Sequence, residues 1–427
     1  MGHLRMANIL QDILEGEEDV EIVKYAGSEL LGQSGVDIIV KLWNGLIRRN
    51  LIRTVDVLVN FFIRIFVLPF IEVSQTVPFY EKLDEIKPDI IISTADGFNK
   101  VLGTYASENK IPFYIVITEI STFLDLVNPH ATHITYFNET PEAIRNYDFD
   151  LTYFSYSLNK TTRFYQKVEY ILKYYKDFVL KAYENSIFRN PDRELEQLNN
   201  ARCRVIGPLA EKKHFTVKNV DEIKEKYNIP KDRDNVVVVS GSIGGKFLVQ
   251  MAKALTKRYN KPLNLLVMCG RDKKTYEKMV NFKNTNEMIN IIPYEYTNNF
   301  DEFIAVADCL IVRPSAGIFI ESVLGMAPIL TFDLVTSNDR GSLTMIEKYK
   351  LGEICKSKKE LIPALEKILI NKEVYKKNIE RLQNMYARTY DEKKQLLRQI
   401  IFDNEFVDYE EKGSLHIESP LESSISH

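Results

Sequence analysis

The second half of this chain repeats one pattern: a short aliphatic, largely β-branched run, a turn of small residues, then a stretch of helical periodicity. The runs are NVVVVSGS (Asn235–Ser242), LNLLVMCG (Leu263–Gly270), INIIPY (Ile289–Tyr294), CLIVRPS (Cys309–Ser315) and APILTF (Ala327–Phe332). Runs that are apolar on both faces belong to parallel sheets covered by helices on each side. Crossovers of this length are right-handed, which leaves an open, doubly wound α/β sheet as the expected architecture. In such sheets ligands sit beyond the carboxyl ends of the strands, so the loops that follow strands are where binding residues are to be sought.

The first half alternates less regularly. Its pattern predicts a helix over His3–Leu14 and strands at VEIVKY (Val20–Tyr25), Lys87–Thr94, Ile111–Thr118, His133–Asn138 and Cys203–Leu209, with a helix over Asn99–Glu108. Residues 151–200 are aromatic and basic and read as helical. A length of 427 residues suits two domains. The charge-rich stretch 211–234 is the expected linker between an N-terminal domain (1–210) and a C-terminal domain (235–402); the acidic, Ser-rich tail 403–427 reads as disordered.

Composition narrows the function. A net charge of -3 excludes a general nucleic-acid binder. The four cysteines, Cys203, Cys269, Cys309 and Cys355, show neither zinc-ligand nor disulfide spacing, and read as buried thiols in a reducing compartment. The opening reads as an amphipathic helix, so no signal peptide is expected. The apolar run Val55–Ile71 is broken by Asp56, Asn60, Arg64 and Pro69, and is too short to span a bilayer. Just before it, LIRRNLIR sets Arg48, Arg49 and Arg53 among aliphatic residues. That mixture suits a helix lying on an anionic membrane surface, and equally a buried helix pair with solvated arginines.

Two loops carry the chemistry. SGSIGGKF (Ser240–Phe247) is a strand end, a small-residue turn and a helix start, where Gly241, Gly244 and Gly245 permit close backbone approach to an anion. It matches neither the dinucleotide fingerprint nor the P-loop spacing, and a tight turn would also explain it. RPSAGIFIES (Arg313–Ser322) ends a strand at Pro314 and opens a helix with Ser315, Ala316 and Gly317. Glu321 follows four residues after Gly317, on the same helix face. Amides that hold a diphosphate and a carboxylate that takes ribose hydroxyls suit a nucleotide; the alternative for Glu321 is a solvated helix residue.

Together GSIGG, VMCGRD, the stretch from PYEYTNNF to MAPILTF, and SNDRGSLTMIEKYKLGEI resemble the donor-binding half of the GT-B glycosyltransferases. The resemblance is to the monogalactosyl- and glucosyl-diacylglycerol synthases and the N-acetylglucosaminyltransferase that forms lipid II. It covers Asn235 to Ile354, with thinner likeness through KPDIIIST, YIVITEI and VIGPLAEKKHF. It implies two facing Rossmann-like, doubly wound parallel-sheet domains with a cleft between them. It also implies roles: Tyr296 covering the nucleobase, Thr297 supplying backbone hydrogen bonds to its edge, Glu321 holding ribose, and Ser242, Gly244, Ser315, Ala316 and Gly317 lining the diphosphate. Asn338 and Asp339 fall where relatives read the sugar hydroxyls with other residue pairs. His3 falls on the family's catalytic base, because MGHLRMANIL resembles a Gly-His loop and helix that follow a first strand. On that reading a strand lies upstream of Met1, and the 427-residue product is expected to fold poorly.

The implied activity is inverting transfer of a sugar from a nucleoside diphosphate, expected to be UDP, to a lipid or lipid-linked hydroxyl. The site would be the cytoplasmic face of the cell membrane, with the protein peripheral on its anionic surface through Arg48, Arg49, Arg53 and Arg64. No metal or other cofactor is expected, and DFD (Asp148–Asp150) reads as a surface turn. Glu119 could line the acceptor site, although with His130 and His133 it reads more simply as part of an ordinary loop. The alternatives are a UDP-sugar 2-epimerase of the same fold, or a non-catalytic relative that binds a sugar nucleotide or a partner chain.

Overall fold

The computed structural model describes residues 2–15, 20–26, 34–58, 62–63, 79–95, 97–121, 126–128, 130–145, 202–241 and 244–403. The expectations for Arg64, Asp148–Asp150, residues 151–200, Ser242 and the tail beyond 403 lie outside these. The described residues fall into two compact units. One is drawn from Met1–Leu42, Thr54–Ile206 and Lys394–Tyr409, the other from Trp43–Arg53 and Gly207–Lys393.

In the first unit four parallel strands run in sequence order, β1 (Ile91–Ser93), β2 (Phe113–Val116), β3 (Thr132–Thr135) and β4 (Arg202–Val205). The helix Gly2–Leu14 buries Met6, Ile9, Leu10, Ile13 and Leu14 and leaves Leu4 exposed. The Tyr114 hydroxyl on β2 donates to the Ile401 carbonyl, tying the end of the chain to this unit. The expected strand at Val20–Tyr25 does not form. Val20, Val23 and Tyr25 are 38%, 50% and 39% exposed, so the run has no sheet to join and no core to face.

The second unit holds six parallel strands: β5 (Asp234–Val239), β6 (Leu263–Met268), β7 (Ile289–Tyr294), β8 (Cys309–Val312), β9 (Ile329–Phe332) and β10 (Gly352–Cys355). Their spatial order is β10-β9-β8-β5-β6-β7. One face of the sheet, with Val236, Val238, Leu265, Val267 and Ile311, packs on Leu248, Met251 and Leu255 of the helix Lys246–Arg258, and on Leu361, Leu365 and Tyr375. Val237, Val239, Leu266, Leu310 and Val312 on the other face are buried as well. Burial on both faces is what selects the unbroken β-branched runs.

The stretch 211–234 is folded rather than a linker, and the division between units falls at Ile206–Gly207. It contains a 3₁₀ turn, Lys212–Phe215, and a helix, Val220–Lys226, whose N-cap Asn219 accepts from the Asp221 and Glu222 N–H groups. Its charges lie on a solvated face while Ile223 is buried beneath them. At the other end, residues from Lys394 onward join the first unit, short of the expected limit at 402.

The apolar-arginine stretch forms the helix Ser34–Arg48 and a short helix Ile52–Val55. Ile47, Ile52 and Val55 are buried, whereas Arg48, Arg49, Arg53, Leu42 and Leu51 are exposed, so the stretch is both packed and outward-facing. Among the described residues no helix is long and apolar enough to cross a membrane. All four cysteines are free thiols, with Cys269, Cys309 and Cys355 buried; burial pushes the Cys269 thiol up to about 12.

Candidate functional site

The strand order of the second unit places its switch point between β5 and β8. From there the chain winds outward through β6 and β7 on one side and through β9 and β10 on the other. The crevice outside the carboxyl ends at a switch point is where open α/β sheets bind ligands. The two loops singled out in the sequence, after β5 and after β8, are the two that this topology brings there. Neither helix that leaves them, Lys246–Arg258 or Ala316–Leu324, has a side-chain N-cap, so neither start is closed off by its own cap residue.

The glycines of the first loop are required by conformation. Gly241, Gly244 and Gly245 have φ of 66°, 68° and 111°, a region costly for any residue with a Cβ. A Cβ on Gly244 would stand 2.5 Å from the Cys269 carbonyl oxygen, and one on Gly245 2.7 Å from that of Arg48. Arg48 thus lies beside this loop through its backbone, at the end of the helix Ser34–Arg48.

Glu321 is 4% exposed, which removes the reading of a solvated helix residue. Its Oε1 lies 3.8 Å from Nε2 of His214, itself buried on the 3₁₀ turn Lys212–Phe215. Of the helix's opening residues, Ala316 is buried and Gly317 exposed. Beyond β8 and β9 a second polar cluster forms. Arg313 Nε is 3.7 Å from Asp339 Oδ2, which also accepts from the Thr336 hydroxyl at 2.8 Å. Arg313 Nε and Nη1, Asn338 Oδ1 and Ser342 Oγ are buried without a hydrogen-bond partner. Orphaned buried polar atoms are rare and costly, and a cluster of them points to water or a ligand.

Past β7, Tyr296 is 46% exposed, and the Arg271 guanidinium stacks over its ring at 4.5 Å. The Thr297 hydroxyl accepts the Asn299 N–H at 3.0 Å. Every described residue expected at the donor site therefore lies in the second unit, on the loops and turns that follow its strands or on the helix Ala316–Leu324 that opens after β8. His214, Arg271, Arg313 and Ser342 had no assigned role in the sequence reading. All four stand inside motifs it quoted, but only their surroundings in space single them out.

In the first unit, His3 sits past the carboxyl ends of β1 and β2. Its Nδ1 donates to the Thr94 carbonyl at 2.6 Å, with the Thr118 hydroxyl 3.0 Å away. A carbonyl only accepts, so Nδ1 carries a proton. His133 is different. Its Nε2 accepts the Asn128 N–H and its Nδ1 donates to the Arg202 carbonyl, while burial pushes its pKa down to about 4. It is a neutral, satisfied core histidine. Glu119 is half-buried, and burial, with a smaller push from the Glu119 charge, raises the pKa of the Tyr136 hydroxyl.

Residues 235–333 match the model of the glycosyltransferase family 28 C-terminal domain. This span runs from β5 to the end of β9, and holds the glycine loop, Tyr296, Arg313 and Glu321 but not Asn338 and Asp339. Monogalactosyldiacylglycerol synthase 2, chloroplastic, of Arabidopsis thaliana is 23% identical over 172 residues, covering 38% of this chain and 36% of that protein. A processive diacylglycerol beta-glucosyltransferase of Bacillus cereus is 22% identical over 153 residues, covering 35% of this chain and 38% of that protein. The likeness thus spans little more than a third of these relatives' length. The crystal structure of MurG from Acinetobacter baumannii superposes with a TM-score of 0.50 at 14% identity, covering 78% of this chain and 79% of that one. The second unit thus contains a stretch that matches the glycosyltransferase family 28 C-terminal domain, and the chain has the α/β fold of the GT-B glycosyltransferases, with two parallel-sheet units.

Proposed function

We propose that the protein is an inverting glycosyltransferase that uses a UDP-sugar and a lipid hydroxyl. The observation that carries this is the buried Glu321 carboxylate, one turn inside an uncapped helix start at the switch point of a family 28 domain. An ionised carboxylate there accepts hydrogen bonds from both ribose hydroxyls, while the amides at Ser315–Gly317 face the diphosphate. Tyr296, already stacked by Arg271, supplies the flat surface for the base.

In the transfer, the acceptor oxygen attacks the anomeric carbon as the bond from that carbon to the diphosphate oxygen breaks. His3 Nε2 takes the hydroxyl proton, and UDP leaves with the bonding electrons. A lipid acceptor is supported by the names of the relatives, which act on diacylglycerol. The exposed Leu42 and Leu51, beside Arg48, Arg49 and Arg53, support attachment to an anionic bilayer surface.

Titration calorimetry with UDP tests the donor site. Saturable binding is expected, weakened roughly a hundredfold or more in Glu321→Ala, the weight of two hydrogen bonds to a charged group. Turnover with radiolabelled UDP-sugars and a membrane lipid extract tests the reaction. A lipid-soluble labelled product, lost in His3→Ala, is the expected result; binding of UDP with no lipid product would refute the transferase reading.

A further inference from the structure

We infer that His214 is a positioning residue for the ribose-binding carboxylate, an inference that rests on the donor site proposed above. Its turn, Lys212–Phe215, touches two parts of that site at once. His214 Nε2 lies 3.8 Å from Glu321 Oε1, and Lys213 Nζ donates to the Asn298 carbonyl at 2.6 Å, on the loop of Tyr296 and Thr297. The turn is itself fixed: the His214 N–H donates to the Glu211 carbonyl, Lys213 pairs with the Glu211 carboxylate, and the Phe215 ring packs on Tyr390.

A carboxylate this deeply buried has lost most of its water, and its ionised form is costly without a positive partner or donors. At 3.8 Å the imidazole is beyond direct hydrogen-bond length, so it acts by filling the space into which the Glu321 side chain would otherwise turn. Glu321 is thereby held on one side, which sets the direction its carboxylate presents to the ribose diol. Lys213 holds the nucleobase loop at the same spacing. A single turn thus sets the distance between the group that reads the sugar of the nucleoside and the loop that covers its base.

The test compares UDP with 2′,3′-dideoxy-UDP by titration calorimetry on the full chain. His214→Ala is expected to weaken UDP binding by roughly tenfold while leaving dideoxy-UDP binding as in the wild type. His214→Gln, whose amide nitrogen stands at the same reach as imidazole Nε2, is expected to recover most of the loss. In a Glu321→Ala background, His214→Ala is expected to add nothing. If His214→Ala does not fold, His214→Asn, which is too short to reach Glu321, replaces it. An equal loss toward both nucleotides, or no loss toward either, overturns the inference while leaving the donor site standing. Failure of the wild type to bind UDP overturns both.

Discussion

Lys393 offers a prediction whose size follows from the structure alone. It lies on the helix Tyr390–Arg398, 1% exposed, with Nζ 2.9 Å from the point where a Cβ on Gly207 would stand. Burial pushes its amine down from 10.5 to about 7. The unfolded chain keeps the higher value, so between pH 7 and 10.5 it binds a proton that the native state lacks. Stability therefore rises with pH across that window, by at most about 1.4 kcal/mol per unit. Integrated from pH 7 to pH 9, this one group contributes about 2 kcal/mol, and below pH 7 the native state carries the whole penalty, about 4–5 kcal/mol. Lys393→Met keeps the length and apolar bulk of the side chain and removes the charge. It is expected to be more stable than the wild type at pH 7, with the difference shrinking by about 2 kcal/mol at pH 9. Urea unfolding of both proteins at pH 7, 8 and 9, followed by circular dichroism, reads this directly. Midpoints that run parallel across the series, or a variant less stable than the wild type at pH 7, would refute the reasoning.

Two further predictions concern the second unit and the thiols. Gly244→Ala combines a left-handed backbone with a clash against Cys269 and Asp272, and should cost well over the ~1 kcal/mol expected of Gly241→Ala, where a Cβ meets nothing; paired thermal melts of the two variants check the contrast. Of the four thiols, Cys203 alone is half-buried and the other three are buried, so native protein should react with a thiol reagent at one site and denatured protein at four.

Much of the second unit was legible because its strands are buried on both faces. Val236 to Val239 admit few other fates, and the small-residue turns that follow mark the ligand side. The run Val20–Tyr25 also has three β-branched residues in six, but it pairs with no strand among the described residues, and local pattern does not report neighbours. β10 was missed for the opposite reason. GEIC has little β propensity, but an edge beside β9 and a glycine that lets Gly352 lie against the Ile329 backbone make it a strand. At the site, Glu321 was found from its spacing to a helix start, a local relation. His214 stands 107 positions before it in sequence, and no spacing rule links them.

The cluster beyond β8 and β9 is where energetics and specificity meet. Arg313 and Asp339 face each other at 3.7 Å, too far for a hydrogen bond, and Arg313 keeps two buried N–H groups unmet. The pair cancels in charge but not in hydrogen bonding, so the fold tolerates there a cost of about 1–3 kcal/mol per orphaned atom. Removing one partner is worse: Asp339→Asn leaves a buried guanidinium without its counter-charge and should cost about 3 kcal/mol. Adding Arg313→Met to it should recover most of that stability, because two neutral side chains need no counter-charge. If the orphaned atoms serve the sugar hydroxyls, the restored double variant will still bind UDP, yet UDP-glucose will no longer bind it any differently from UDP. Should the double variant be no more stable than Asp339→Asn, the buried pair is not the unit argued here. Should the sugar's contribution survive intact, the unmet atoms belong to water rather than to the donor.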